Sequence, residues 1–362
     1  MRLPPPSVPP PNLDGSTTCG RAEPPSVARG SAQRQVDPMR RAKQPTGKTT
    51  PARIASCPVC GEASPRSSIQ PDWGSWHTCP DCSLEFAWPR SLPAHPTVLF
   101  DAAYRGTEHV SGFDEFAHRV RQREALLARP ELWFWTPAFA DTIARLKMLL
   151  PQGGTVLEIG CGLGFLLHAL RREGFDAVGI DVARIAVDLN RADGFNVWHG
   201  DLETMPHGWT KPDAVVAFFM LHHLVDPVAM LREVRARWPS APLIVAQYGP
   251  TNVSRFARLA PRNLTHWTAR ALGRALEEAG YDAIVNDYPS SGSEHPALQR
   301  LRSRVFERVI GTPAIYRVSK RVVDRVAGVV ARPMRQHSFV LLAFAAPCPP
   351  GLAVPAGDDH AK

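Results

Sequence analysis

Thr-Val-Leu-Glu-Ile-Gly-Cys-Gly-Leu-Gly-Phe-Leu-Leu, residues 155–167, decides how the rest of the chain is read. Val156, Leu157 and Ile159 have the density of apolar side chains expected of a short buried strand. Gly160, Gly162 and Gly164 then make a glycine turn, and Phe165 to Arg171 begin a helix. Strand, glycine turn and helix together form a cradle for a nucleotide-like ligand. Glycine lets backbone approach the ligand closely, and the first N–H groups of the helix point into the same space.

A dinucleotide site places its third small residue five positions after the first glycine. Counted from Gly160 that position is Phe165, so the dinucleotide pattern fails. The alternative is S-adenosylmethionine: Glu158-x-Gly160-x-Gly162-x-Gly164 resembles the first motif of the class I methyltransferases. Outward from the turn, strands are expected at 175–181, 195–198, 214–219, 243–247, 281–285 and 338–345. Helices are expected at 185–192, 227–237 and 268–279, between those strands. This alternation predicts an α/β fold, a doubly wound and mostly parallel sheet with ligands at the carboxyl ends of its strands.

Upstream, Cys57-Pro-Val-Cys60 and Cys79-Pro-Asp-Cys82 are separated by eighteen residues. Two such pairs read as a structural zinc ribbon over residues 54–90, with Cys57, Cys60, Cys79 and Cys82 as a closed tetrahedral set. A disulfide or a redox pair is the competing reading, but redox chemistry needs only one pair. Residues 1–53 hold no aromatic side chain and are rich in Pro, Ser and Arg, which predicts a disordered basic tail. Residues 91–150 are expected to be a helical linker or cover, and 151–346 the main domain. A basic amphipathic insertion is expected at 290–335 and a mobile tail at 347–362.

The formal charge of +8 is concentrated in the first fifty residues and in 296–335, leaving the remainder net acidic. That distribution argues against a broad phosphate-binding face across the cradle. Contact of 296–335 with an anionic membrane surface is possible for such a helix, but packing on its own domain is the commoner fate. Pro4 to Pro11 leave no apolar signal core, and no run of eighteen apolar residues exists, so cytoplasmic residence is the default expectation.

An S-adenosylmethionine site wants an acid after the second strand for the ribose and another after the third for the adenine. Asp181 and Asp201 occupy those places, although each also suits a helix cap or a closed turn. With these residues the resemblance extends over 57 to about 345. It is to class I S-adenosylmethionine-dependent methyltransferases, in particular the bacterial group carrying an N-terminal cysteine ribbon. Further matching stretches are Gly179-Ile-Asp181, Gly200-Asp-Leu-Glu203, His223-Leu-Val-Asp-Pro227 and Thr265-His-Trp-Thr268. The resemblance implies a seven-stranded Rossmann-like sheet with an antiparallel last strand. It also implies that Glu158 meets the amino-acid end of the cofactor, and that Phe219 to His222 flank the sulfonium and the acceptor.

A hydroxyl or carbon acceptor requires a base. His222 and His223 are the candidates, because they follow the fourth strand and imidazole titrates near neutrality. Bonding of this pair to nearby loop backbone is the bland alternative, and Tyr248 and His266 are weaker candidates. Three functions compete: methyl transfer to a small molecule such as a sugar, glycan or secondary metabolite; methylation of RNA gripped by the ribbon and the basic segment; and a non-catalytic cofactor-binding scaffold.

Overall fold

The computed structural model describes residues 55–64, 67–69, 74–92, 94–107, 115–128, 136–249, 263–289 and 338–348. The expectations for 1–53, for the basic insertion 290–335 and for the tail beyond residue 348 therefore lie outside the described residues.

The strand of the opening stretch, Thr155–Ile159, lies inside a seven-stranded sheet and pairs in parallel on both sides. In chain order the strands of that sheet are β6 (Thr155–Ile159), β7 (Asp176–Asp181), β8 (Asn196–His199), β9 (Ala214–Phe218), β10 (Leu243–Tyr248), β12 (Tyr281–Pro289) and β13 (Ser338–Pro347). Their spatial order is β12-β13-β10-β9-β6-β7-β8, and β13 runs antiparallel to both of its neighbours. The doubly wound, mostly parallel sheet is as the sequence pattern predicted, and its seven strands and reversed last strand are as the resemblance implied.

Side chains alternate between two cores. Leu157, Ile159, Val178, Ile180, Val215, Ala217 and Leu243 contribute to one face, and Val156, Ala177, Val197, Val216 and Ile244 to the other. The second face is covered by α3 (Thr136–Leu149), α4 (Phe165–Arg172) and α5 (Arg184–Ala192), whose buried residues include Leu146, Leu166, Leu170, Ala186 and Val187. The first face is covered by α6 (Pro227–Arg237) and α7 (Ala269–Glu278). Both of these helices start on local signals. Asp226 accepts from Ala229 N–H at 2.9 Å with Pro227 just inside the helix, and Thr268 accepts from Ala271 N–H at 3.1 Å.

The cysteine region is part of this core and not a bead on a string. Cys57, Val59, Cys79, Cys82, Leu84 and Phe86 belong to the same apolar cluster as Trp267, Ala271 and Leu157. Short strands β1 (Ala55–Ser56) and β2 (Ala63–Ser64) pair with each other. β3 (Ser67–Ile69), β4 (Ser75–Thr78) and β5 (Glu85–Trp88) form an antiparallel sheet. Its edge is completed by β11 (Thr265–His266), a two-residue strand contributed by the main domain, with Thr265 opposite Phe86 and His266 opposite Glu85.

Two further helices, α1 (Pro96–Arg105) and α2 (Glu115–Leu127), lie beside α5 and the glycine turn. No helix among the described residues is long and apolar enough to cross a membrane.

Candidate functional site

At the carboxyl end of β6 the chain leaves the sheet through three glycines with left-handed backbone: Gly160 at φ 73°, Gly162 at φ 50° and Gly164 at φ 76°. The conformation alone favours glycine. The space that a Cβ would need is taken up by the protein itself. At Gly160 it would lie 3.0 Å from Met220 Cβ, at Gly162 3.1 Å from the Tyr104 hydroxyl, and at Gly164 1.9 Å from Asn190 Oδ1. The sequence reading attributed these glycines to close approach of a ligand; packing of the turn against its own neighbours is a sufficient cause.

Asp181 ends β7 directly beside this turn. One carboxylate oxygen accepts from Gly162 N–H at 2.7 Å and the other from Ala183 N–H at 2.8 Å. Burial raises its pKa, and those two N–H bonds partly oppose the rise. Glu158 lies beneath the turn, 4 % exposed, and its Oε2 has no hydrogen-bond partner among the described residues. Burial, and then the nearby Asp181 charge, push the Glu158 carboxyl well above the usual carboxylate range. An acid in that position needs a cation or a donor to become comfortable in its ionised form. The cationic amino end of S-adenosylmethionine has that chemistry, so the residues present fit the cofactor.

The turn is clamped from behind by a group that the sequence did not reveal. Arg123 of α2 is buried and donates through Nε to Leu163 O at 2.8 Å and through one terminal nitrogen to Asn190 Oδ1 at 3.2 Å. The same nitrogen pairs with Asp193 at 2.5 Å. Asn190 in turn donates to Gly162 O at 2.7 Å. The sequence signal was one arginine among three at 119, 121 and 123, with nothing to mark which of them turns inward. Tyr104 and Asp101 of α1 close the upper side, Asp101 by accepting from Ile185 N–H at 3.1 Å.

Asp201 follows β8 but is exposed, and its Oδ1 accepts from Thr204 N–H and Oγ, both at 2.9 Å. Closing that turn is the contact the structure places on it.

The wall facing the glycine turn is aromatic. Phe219 leaves β9 at φ 54°, a backbone region that aromatic residues rarely adopt, and its ring stacks on Tyr248 at 4.5 Å. The 3-10 turn Leu221–His223 follows, with the rings of His222 and His223 3.8 Å apart. Phe100 of α1 meets His223 edge-on at 4.9 Å, and Tyr248 meets His222 at 5.6 Å. Gln247 is fully buried and pairs its Oε1 with His222 Nδ1 at 3.2 Å. It too was missed, although a polar residue ending the apolar run Leu243 to Ala246 was a readable signal. His266, considered as a base from the sequence, is instead in the ribbon seam: its ring stacks on Trp76 at 4.3 Å and pairs with Glu85 at 3.2 Å.

The four thiols of Cys57, Cys60, Cys79 and Cys82 all lie within 4.8 Å of one another. The two knuckles repeat one backbone design. Gly61 N–H donates to Cys57 O at 3.0 Å and Ser83 N–H to Cys79 O at 3.1 Å, each from a left-handed residue at φ 76° and 63°. The Cys82 thiol holds Cys57 down to about 5 by donating to it, and the same contact followed by burial pushes Cys82 up. Burial first of all pushes Cys60 up to about 11. Four thiols this close together are a donor set that could hold a metal ion, and four sulfurs are the ligand chemistry of a closed structural zinc site. Half-buried Arg90, bonded to Ser56 O at 2.6 Å, brings a positive charge close to that set.

Comparison with known proteins assigns the central region. Residues 133–285, which include Glu158, the three glycines, Asp181, Asp201 and His222, match the family model described as a methyltransferase domain. The ubiquinone biosynthesis O-methyltransferase of Serratia proteamaculans is 28% identical over 132 residues, covering 32% of this chain and 54% of that protein. The enzyme of the same name from Coxiella burnetii is 29% identical over 102 residues, covering 25% and 44%. The chain thus spans about half the length of these relatives. Among solved structures, an S-adenosylmethionine-dependent methyltransferase of Mesorhizobium loti aligns at 16% identity, a TM-score of 0.39 and coverage of 59% and 99%.

Proposed function

We propose, from the premise that residues 133–285 form a class I methyltransferase domain, that this protein methylates a hydroxyl oxygen of a small ring-bearing acceptor. S-adenosylmethionine, when bound, would supply a methyl group whose carbon is made strongly electrophilic by the sulfonium sulfur that carries it. The chain's part is therefore to bind, align, exclude water and remove a proton. Glu158 receives the ammonium group with its unpartnered oxygen. Asp181, whose two oxygens each retain acceptor capacity beyond one N–H bond, takes the ribose hydroxyls. Asp201 is the acid proposed for the adenine edge.

Phe100, Phe219 and Tyr248 offer rings to a planar or apolar acceptor, and His222 or His223 would take the hydroxyl proton as the new oxygen–carbon bond forms and the methyl–sulfur bond breaks, its electron pair staying on sulfur. An oxygen acceptor agrees with the O-methyltransferase activity named for the two relatives.

The observation that carries this reading is the buried Glu158 carboxylate with one oxygen unpaired beneath the glycine turn. Titration calorimetry with S-adenosylhomocysteine tests it. Glu158→Gln keeps the shape and removes the charge, and is expected to weaken binding by roughly 10- to 100-fold, the worth of a charged hydrogen bond. Equal affinity in the two proteins would sink the assignment.

A further inference from the structure

We propose that the four-cysteine knuckle is a positioning element for the acceptor wall, acting through β11 on the turn that carries His222 and His223. This rests on the reading of that turn as the acceptor side of a methyltransferase cleft. A continuous run of backbone hydrogen bonds makes the connection. Ala87 N–H of β5 donates to Leu264 O at 2.8 Å, and Leu264 N–H donates to His222 O at 2.7 Å. Leu264 is fully buried, packed with Trp76 and Ala87, so its two backbone groups must be paired where they lie.

Strand β11 cannot hold this position alone. Two residues gain too few ladder bonds to fix a strand, and the partner that fixes this one is β5. The second knuckle adds the remaining ties. Trp76 stacks on His266 with ring planes 7° apart, Thr268 Oγ donates to Cys82 O at 3.4 Å, and Arg270 pairs with Asp81 at 3.1 Å. Trp267 and Leu84, both fully buried, are on the same seam, and keeping their apolar side chains out of water favours the closed contact. Segment 264–270 is thus clasped by residues 76–87 over its whole length.

The glycine turn draws its hydrogen bonds from α2, α5 and β7 instead. Metal content should consequently govern the His222 turn while leaving the cofactor side nearly untouched. Loss of metal would free the Cys79–Ser83 loop, release β5 from β11, and remove the support behind the His222 carbonyl.

The test uses the full chain, loaded with one equivalent of zinc and carrying ¹⁵N-labelled histidine, with the His222 imidazole resonances assigned through His222→Gln. Chelation is expected to shift or broaden those resonances, and zinc added back is expected to restore them. Affinity for S-adenosylhomocysteine, measured by calorimetry in both states, should change by less than about fivefold. Ala87→Pro, which deletes the N–H donated to Leu264 while keeping all four cysteines, should move the same resonances at full metal content. Unchanged His222 resonances in the metal-free protein would overturn the proposal. So would a parallel loss of cofactor-analogue affinity beyond about fivefold, since the metal would then support the whole domain. Absence of analogue binding in either state would instead overturn the cofactor reading, and this proposal with it.

Discussion

Around the glycine turn, Gly162, Asp181 and Ala183 come from one β-α-β unit and bond one another directly. The wall across from it gathers Phe100 from α1, His222 from the end of β9, Tyr248 from β10 and, behind them, Leu264 from β11. The first arrangement needs about twenty-five consecutive residues to fold correctly. The second needs pieces separated by more than a hundred residues, one of them tied to a cysteine knuckle. The glycine turn and its acid are joined within one local unit. The wall of aromatic and histidine rings is a product of tertiary assembly.

The contrast can be broken first at Arg123. If the cofactor side were held only by its own β-α-β unit, removing a side chain of α2 would matter little. Arg123→Ala leaves Leu163 O and Asn190 Oδ1 without their donor and Asp193 without its closest cation, and should cost roughly 2–4 kcal/mol in chemical denaturation. A cost below 1 kcal/mol would show the clamp to be ornamental.

A second test sharpens the electrostatic side of the comparison. An acid whose pKa is raised keeps its proton to a higher pH in the free protein than an ordinary carboxylate does, and a cationic ligand favours the ionised form. Binding must therefore release up to one proton, and affinity must climb with pH until the raised pKa of the Glu158–Asp181 pair is passed. Calorimetry of S-adenosylhomocysteine in buffers of different ionisation enthalpy should detect that proton. Affinity should rise at most tenfold, about 1.4 kcal/mol, per pH unit. The dependence should flatten in Glu158→Gln; a pH-independent wild-type affinity would contradict it.

The smallest effect belongs to the ribbon. Gly61 and Ser83 occupy equivalent left-handed positions in the two knuckles, but only one of them is glycine. Ser83→Gly should raise stability by about 0.5 kcal/mol or slightly more, because relief of the backbone strain outweighs the added freedom of the unfolded chain. A fall in melting temperature would mean that the Ser83 side chain contributes more than its backbone costs.

The sequence by itself determined most of the sheet, because its central strands carry their own apolar runs and two of the intervening helices their own caps, Asp226 with Pro227 and Thr268. It determined the place of Glu158, the glycines and Asp181 for the same reason: their spacing is fixed by one strand, one turn and the next strand. The two cysteine pairs were legible too, since thiol clusters need only short, regular spacing. Tertiary structure alone decided which arginine of α2 turns inward, that Asn190 and Tyr104 fill the space beside the glycines, and that Gln247 touches His222. It also moved His266 out of the catalytic candidates and into a seam with Trp76. Such contacts join residues far apart in the chain. Whether they form depends on packing and on the pairing of buried polar groups, which no local pattern of residues encodes.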